Sequence, residues 1–218
     1  MLPYESITKE RNILTAAWRW RGEKKVHSIE IDPKKPHDDK KIVEKLISLL
    51  NEADGTVAHY GDKFDMKYIL ARALYHGLKP PKQTIQIDTY KIAKGKFLFN
   101  SNRLDYLGQF LGVGRKIKTD KSLWDGCMDG DPLSIKLMAR YNRQDVELLT
   151  GVFEKLAPYV HAKVNAALFS NKPACTNCGG SKIQRRGRGA GKTGFYQRYQ
   201  CMSCGSWSSS PKAGAILR

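Results

Sequence analysis

Residues 59–74 read HYGDKFDMKYILARAL, and this stretch decides the fold. The short apolar run TVAHYG leads in as a strand, and DMKYILARALYHG follows as a helix closed by Gly77, so the chain passes from strand to helix at Phe64 and Asp65. Just beyond a strand's carboxyl end is where open α/β sheets carry their sites. Taken singly, Asp65 is equally well explained as a residue of a helix N-terminus.

Working outward, NILTAAWRWRG (12–22) and KKVHSIEID (24–32) are β-branched and aromatic runs broken at Gly22, the pattern of a two-stranded hairpin. DDKKIVEKLISLLNEAD (38–54) is a helix with Ile42, Leu46, Leu49 and Leu50 on one stripe and Asp38 or Asp39 as its cap. After the breaker KPPK, IQIDTYKIA is a strand running into a helix, and SNRLDYLGQFLG is a short helix capped by Ser101 or Asn102. A long helix is expected from Asp131 to about Val160. It carries RYNRQDVELL (140–149), in which Tyr141 and Asp145 stand four apart and so share a face. This order of elements implies an α/β fold, a mixed sheet flanked by helices.

The separated acidic positions suit metal-assisted phosphodiester cleavage. That chemistry needs carboxylates from different elements to hold two Mg²⁺ or Mn²⁺ ions, and a phenol can lie beside the attacking water. One Tyr-x-x-x-Asp is close to what chance supplies from ten tyrosines and thirteen aspartates in 218 residues. Asp145 alone could also be a solvated charge beside Arg143.

Composition bounds the rest. The 218 residues suffice for one well-buried domain and a small appendage, and no apolar run is long enough to span a membrane. Nothing at the N-terminus resembles a signal peptide, so a cytoplasmic location is expected. The net charge is +17, and residues 171–218 hold nine Lys or Arg and no Asp or Glu, about half of that excess. Such a surplus points to a polyanion, most simply nucleic acid; a merely solubilising surface is the plainer alternative.

Five cysteines sort into two Cys-x-x-Cys pairs, Cys175/Cys178 and Cys201/Cys204, with 22 residues between them, and Cys127 left over. Two such turns complete a zinc tetrahedron; a pair of disulfides is the alternative in an oxidising compartment. Gly179 and Gly205 follow the pairs where a knuckle requires positive φ. Cys127 reads as a small buried apolar residue. Between the pairs, KIQRRGRGAGKTGFYQRYQ (182–200) forms a hairpin whose Arg185, Arg186, Arg188, Lys192, Tyr196 and Arg198 are candidates to grip nucleic acid, while one or two aromatics cover the zinc core. GRGAGKT lacks the spacing of a phosphate loop, and no helix follows it. The expected domains are 1–161 for the α/β body, 162–174 for a linker, 175–210 for the zinc ribbon and 211–218 for a tail.

These motifs resemble the DEDD 3′-to-5′ exonuclease superfamily, on the ribonuclease H-like fold, in its Tyr-type subclass. HYGDKFDMKYI is similar to the second motif, residues 85–112 to the intervening segment, and RYNRQDVELL to the third. Small nucleases with a following zinc ribbon, often phage-encoded, are most similar, over about Ile13 to Trp207. The resemblance implies a two-metal hydrolase acting on DNA ahead of RNA. It makes Asp65 and Asp145 ligands of Mg²⁺ or Mn²⁺, Tyr141 the residue orienting the water, and zinc a structural ion.

Two departures stand out. Tyr60 occupies a position that is Asn in the family. The first motif, an Asp-x-Glu on the central strand, is absent ahead of the hairpin. Glu30 and Asp32 have its spacing in reverse order on an edge strand, which makes them poor surrogates. Three readings follow for the chain as written: an exonuclease whose start lies upstream, a fold completed by another polypeptide that supplies the strand, or a non-catalytic binder working through its ribbon. Ribonuclease and structure-specific nuclease activities remain alternatives on the same fold.

Overall fold

The computed structural model describes residues 10–159, 167, 172–191 and 194–210. The chain forms two compact units, Met1–Pro158 and Tyr159–Arg218. The expected linker lies mostly outside the described residues, and Lys192 and the tail 211–218 lie wholly outside them.

In the first unit, β1 (Thr15–Trp18) and β2 (His27–Glu30) pair antiparallel, Thr15 opposite Glu30 and Trp18 opposite His27. Helix α1 (Lys40–Glu52) leads to β3 (Gly55–Ala58), α2 (Asp65–Tyr75), β4 (Ile85–Asp88) and α3 (Thr89–Lys96), with β3 and β4 parallel in register Gly55 to Ile85. Helices α4 (Leu104–Phe110), α5 (Lys121–Met128) and α6 (Pro132–Leu156) complete the unit. The fold is the expected α/β one, with its sheet in two pieces: among the described residues no strand joins the β1–β2 pair to the β3–β4 pair.

Helix α6 packs on the β1–β2 pair through one half and on α3 and α4 through the other. Asp131 caps it, accepting from the amides of Leu133 and Ser134 at 3.4 and 2.8 Å, and Pro132 occupies the first turn, where its missing N–H costs nothing. Its 25 residues span roughly 37 Å. The N-terminal half places Ile135 and Met138 in a core with Leu14, Ala16, Ile31, Ile42, Leu123 and Cys127. The C-terminal half places Leu148, Val152 and Leu156 in a second core with Ala93, Leu104 and Leu107. Each fully buried aliphatic side chain stabilises the fold by about 1.5–3 kcal/mol. Tyr141 and Asp145 fall between the two halves, where the helix passes from one core to the other. Cys127 is wholly buried, as expected.

Three local expectations require correction. Asp39 stands at the start of α1 yet makes no side-chain capping bond. Its carboxylate turns inward instead, to the Arg72 guanidinium at 2.7–3.1 Å, to His76 Nε2 at 2.6 Å and to the Ile13 amide at 2.8 Å. The residue at the cap of α4 is Arg103, and Ser101 only accepts from its amide at 3.3 Å. Helix α5, whose cap Asp120 accepts from Leu123 N at 3.1 Å, was not anticipated.

In the second unit, β5 (Ile183–Gly191), β6 (Gly194–Cys201) and β7 (Trp207–Ser210) form an antiparallel sheet in that order. The hairpin was expected and β7 was not. A bulge between Arg185 and Arg188 leaves Arg186 and Gly187 outside the register.

Candidate functional site

The parallel strands β3 and β4 bring one group of acidic residues to their carboxyl ends. Asp88 caps α3, its Oδ1 accepting from Tyr90 N at 2.9 Å and from Tyr60 N at 2.8 Å. That second bond holds Tyr60 at φ 65, the left-handed region that Asn tolerates better than Tyr. His59 and Thr89 are joined at 2.9 Å beside it. Asp62 pairs with Lys91 and faces Asp88. The hydrogen bond to Asp88, followed by Lys91, holds the Asp62 carboxyl down at about 2. Burial and then Asp62 push the Asp88 carboxyl up, and both Asp62 Oδ1 and Asp88 Oδ2 are buried without a donor. Asp65 begins α2 behind Phe64. Its side chain reaches solvent, yet the protein packed around it, and then the negative charge of Asp88, push its carboxyl upward.

A different group surrounds Asp145. Lys116 Nζ lies 2.6 Å from Asp145 Oδ2 and donates to the Tyr141 hydroxyl at 3.0 Å. The loop that carries Lys116 is pinned on both sides: Lys116 N donates to Asp105 Oδ1 at 2.7 Å, and Gln144 Nε2 donates to Arg115 O at 2.8 Å. Burial pushes the Asp145 carboxyl up against the downward pull of Lys116 and then of the Tyr141 hydroxyl, and Asp145 Oδ1 is buried with no donor at hydrogen-bond distance. Arg143, the neighbour expected to sit beside Asp145, instead reaches Ser28 Oγ at 2.8 Å and Glu30 at 3.5 Å. Glu30 is thereby occupied, and Asp32 accepts from Lys34 N.

Tyr141 and Asp145 are thus brought together through Lys116, whereas Asp65 stands with Asp88. A two-ion site requires several oxygen ligands around each cation. Among the described residues, no three His, Cys, Asp or Glu ligands other than the ribbon cysteines lie within 4.8 Å of one another. The orphaned Asp145 Oδ1 suits a cation, but the residues described do not assemble the set that Mg²⁺ or Mn²⁺ needs. Lys116 was missed in the sequence because its partner lies 29 residues away, beyond any helical or strand periodicity.

The four ribbon cysteines do converge. Their sulfurs all lie within 4.8 Å of one another, with Cys175–Cys204 and Cys178–Cys201 each at 3.7 Å. A tetrahedron of Zn–S bonds near 2.3 Å has edges of about 3.8 Å, so the set fits zinc, and at that separation the cysteines are free rather than disulfide-bonded. Gly179 and Gly205 adopt φ 73 and 72, as the knuckles require. The amides of Asn177, Gly180 and Ser203 point at the sulfurs of Cys175, Cys178 and Cys201 at 3.3–3.4 Å. Burial and the neighbouring thiols push Cys178 up to about 12. At Cys201 burial is outweighed by the Cys204 and Ser203 amides and nearby thiols, which bring it down to about 6. Zinc held here would tie the two knuckles of the ribbon together. Arg185, Arg186, Arg188 and Arg198 are exposed and Tyr196 is half-buried.

The chain belongs to the RNase_H superfamily, whose family model matches residues 6–157. Among solved structures it is similar to the family B DNA polymerase from the hyperthermophilic archaeon Pyrobaculum calidifontis, at a TM-score of 0.51 and 18% identity. The likeness covers 80% of this chain and 27% of that one, so the chain spans about a quarter of the polymerase's length and shares the fold of that part. No curated protein matches in sequence. The described residues contain no helix long and apolar enough to cross a membrane.

Proposed function

We propose that this chain is a nuclease of the 3′-to-5′ exonuclease kind that acts on DNA, with Asp65, Tyr141 and Asp145 as its hydrolytic residues and a divalent cation, Mg²⁺ or Mn²⁺, as its cofactor, its activity impaired while the set of metal ligands is incomplete. The observation that carries the reading is the placement of Tyr141 and Asp145 on one face of α6, with a buried carboxylate oxygen that has no partner, inside a fold of the RNase_H superfamily. Native proteins rarely leave such an oxygen unsatisfied without a use for it. The zinc ribbon, with Arg185, Arg186, Arg188, Lys192, Tyr196 and Arg198, supplies the grip on nucleic acid.

A second reading is favoured by the carboxylates that do not converge and by the sheet in two pieces. In that reading the chain binds nucleic acid through its ribbon without cutting it. One assay separates the two. Purified protein is incubated with 5′-labelled single-stranded DNA and Mn²⁺ beside Asp65→Ala and Asp145→Ala. Stepwise shortening from the 3′ end, lost in both variants, is the expected result for the nuclease. Shortening that survives both substitutions overturns the assignment of the residues, and tight binding without shortening selects the second reading.

A further inference from the structure

The face of the ribbon sheet turned away from Cys201 carries a built surface. Alternation along β6 puts Tyr196, Arg198 and Gln200 on one side and Phe195, Gln197, Tyr199 and Cys201 on the other. The register places Gly189 opposite Tyr196 and Trp207 opposite Gln200, so all of them share the first face.

Tyr196 does not stand up from the sheet. A Cβ on Gly189 would lie 2.5–2.7 Å from the Cζ, Cε2 and hydroxyl of Tyr196, and one on Gly191 would lie 3.5 Å from its Cε1. The ring therefore rests on backbone that only glycine leaves bare. Two residues further along β6, roughly 7 Å away, Arg198 lies over the Trp207 ring with Cζ 4.5 Å from its centre, and Trp207 is 49% exposed. Arginine planes and indole rings both accept stacked bases.

We propose that this face binds single-stranded nucleic acid, one base stacking on Tyr196 over Gly189 and a following base on the Arg198–Trp207 pair. The proposal deepens the assignment of the ribbon as a nucleic-acid grip and rests on it. Two observations select the occupant. Residues 171–218 hold nine Lys or Arg and no acid, and Arg185, Arg186 and Arg188 are exposed along β5, which fits a phosphate chain. The Tyr196 ring and the Arg198–Trp207 pair lie on one face of the sheet and suit unstacked bases, whereas a duplex hides its base faces against each other. Stacking of this kind is tolerant of sequence, so no base preference is expected.

The test uses the full zinc-loaded chain, without added Mg²⁺ or Mn²⁺, and fluorescent dT12, U12 and a DNA duplex of equal charge as probes. The two single strands distinguish DNA from RNA as the source of the strand. Tyr196→Ala, Trp207→Ala and Gly189→Ala should each weaken binding of the single strand about tenfold, with duplex binding changed less than about twofold and the salt dependence unchanged. Gly189→Ala removes no contact group and acts by lifting the Tyr196 ring, while Tyr196→Phe should bind like the parent. Zinc content identifies any variant that has lost the ribbon fold, and the remaining substitutions then decide. Equal losses on duplex and single strand, no loss in any variant that retains zinc, or a parent that binds neither dT12 nor U12 would overturn the proposal. None of these readouts depends on cleavage, so failure here leaves the nuclease assignment standing.

Discussion

Asp39 and Asp145 both meet a cation, and the two regions treat them oppositely. Asp39 is fully buried and saturated: Arg72, His76 and the Ile13 amide together satisfy both of its oxygens. Asp145 has one oxygen on Lys116 and the other buried without a donor. Closing every lone pair ties α1, α2 and the segment before β1 together, which is the work of a structural carboxylate. An acceptor left open in a protein interior costs stability, and its persistence points to something that completes it.

The largest expected effect comes from breaking the closed site. Asp39→Ala strands the buried Arg72 guanidinium and should cost about 3–5 kcal/mol, whereas Asp145→Ala should leave stability within about 1 kcal/mol of the parent. Urea denaturation followed by circular dichroism measures both, and similar losses for the two variants would remove the distinction. Acid should sharpen it to a lesser extent. Burial opposes ionisation of Asp39, but Arg72, His76 and the Ile13 amide hold its carboxyl below the ordinary value near 3.8. A depressed carboxyl adds stability that is present above that value and is lost as pH falls through its lowered one. Asp39→Asn should therefore flatten the acid limb of stability against pH, and an unchanged limb would show that Asp39 is not the group responsible. The smallest effect belongs to Lys116. Lys116→Met removes one cation from a half-exposed pair, and a double-mutant cycle with Asp145→Ala should give a coupling of about 1 kcal/mol; a coupling as large as that of Arg72 with Asp39 would make both sites structural.

What was legible in the sequence follows from the range of the forces involved. Helix α6, the α2 entry at Asp65 and the zinc knuckles are set by periodicity, caps and short spacings, so residues a few positions apart sufficed to find them. Asp39 looked like a helix cap because it stands where caps stand, and only Arg72, 33 positions on, reveals that it faces inward. Lys116 and Trp207 escaped for the same reason: a loop lysine and an edge-strand tryptophan acquire meaning from Asp145 and Arg198, which no local pattern connects to them. The left-handed backbone at Tyr60, held by an aspartate on the next strand, was likewise beyond the reach of any local pattern.

Helix α6 also sets a timetable. It is the last α-helix of its unit in chain order, yet both cores close against it. During synthesis at about 5–20 residues per second, the hairpin and helices α3, α4 and α5 emerge before the helix that covers their apolar faces, and wait for Leu156. A pause in translation shortly before that point would hold the nascent chain in its most aggregation-prone form. Release of residues 132–156 from the ribosome is therefore the step on which the yield of folded protein should depend.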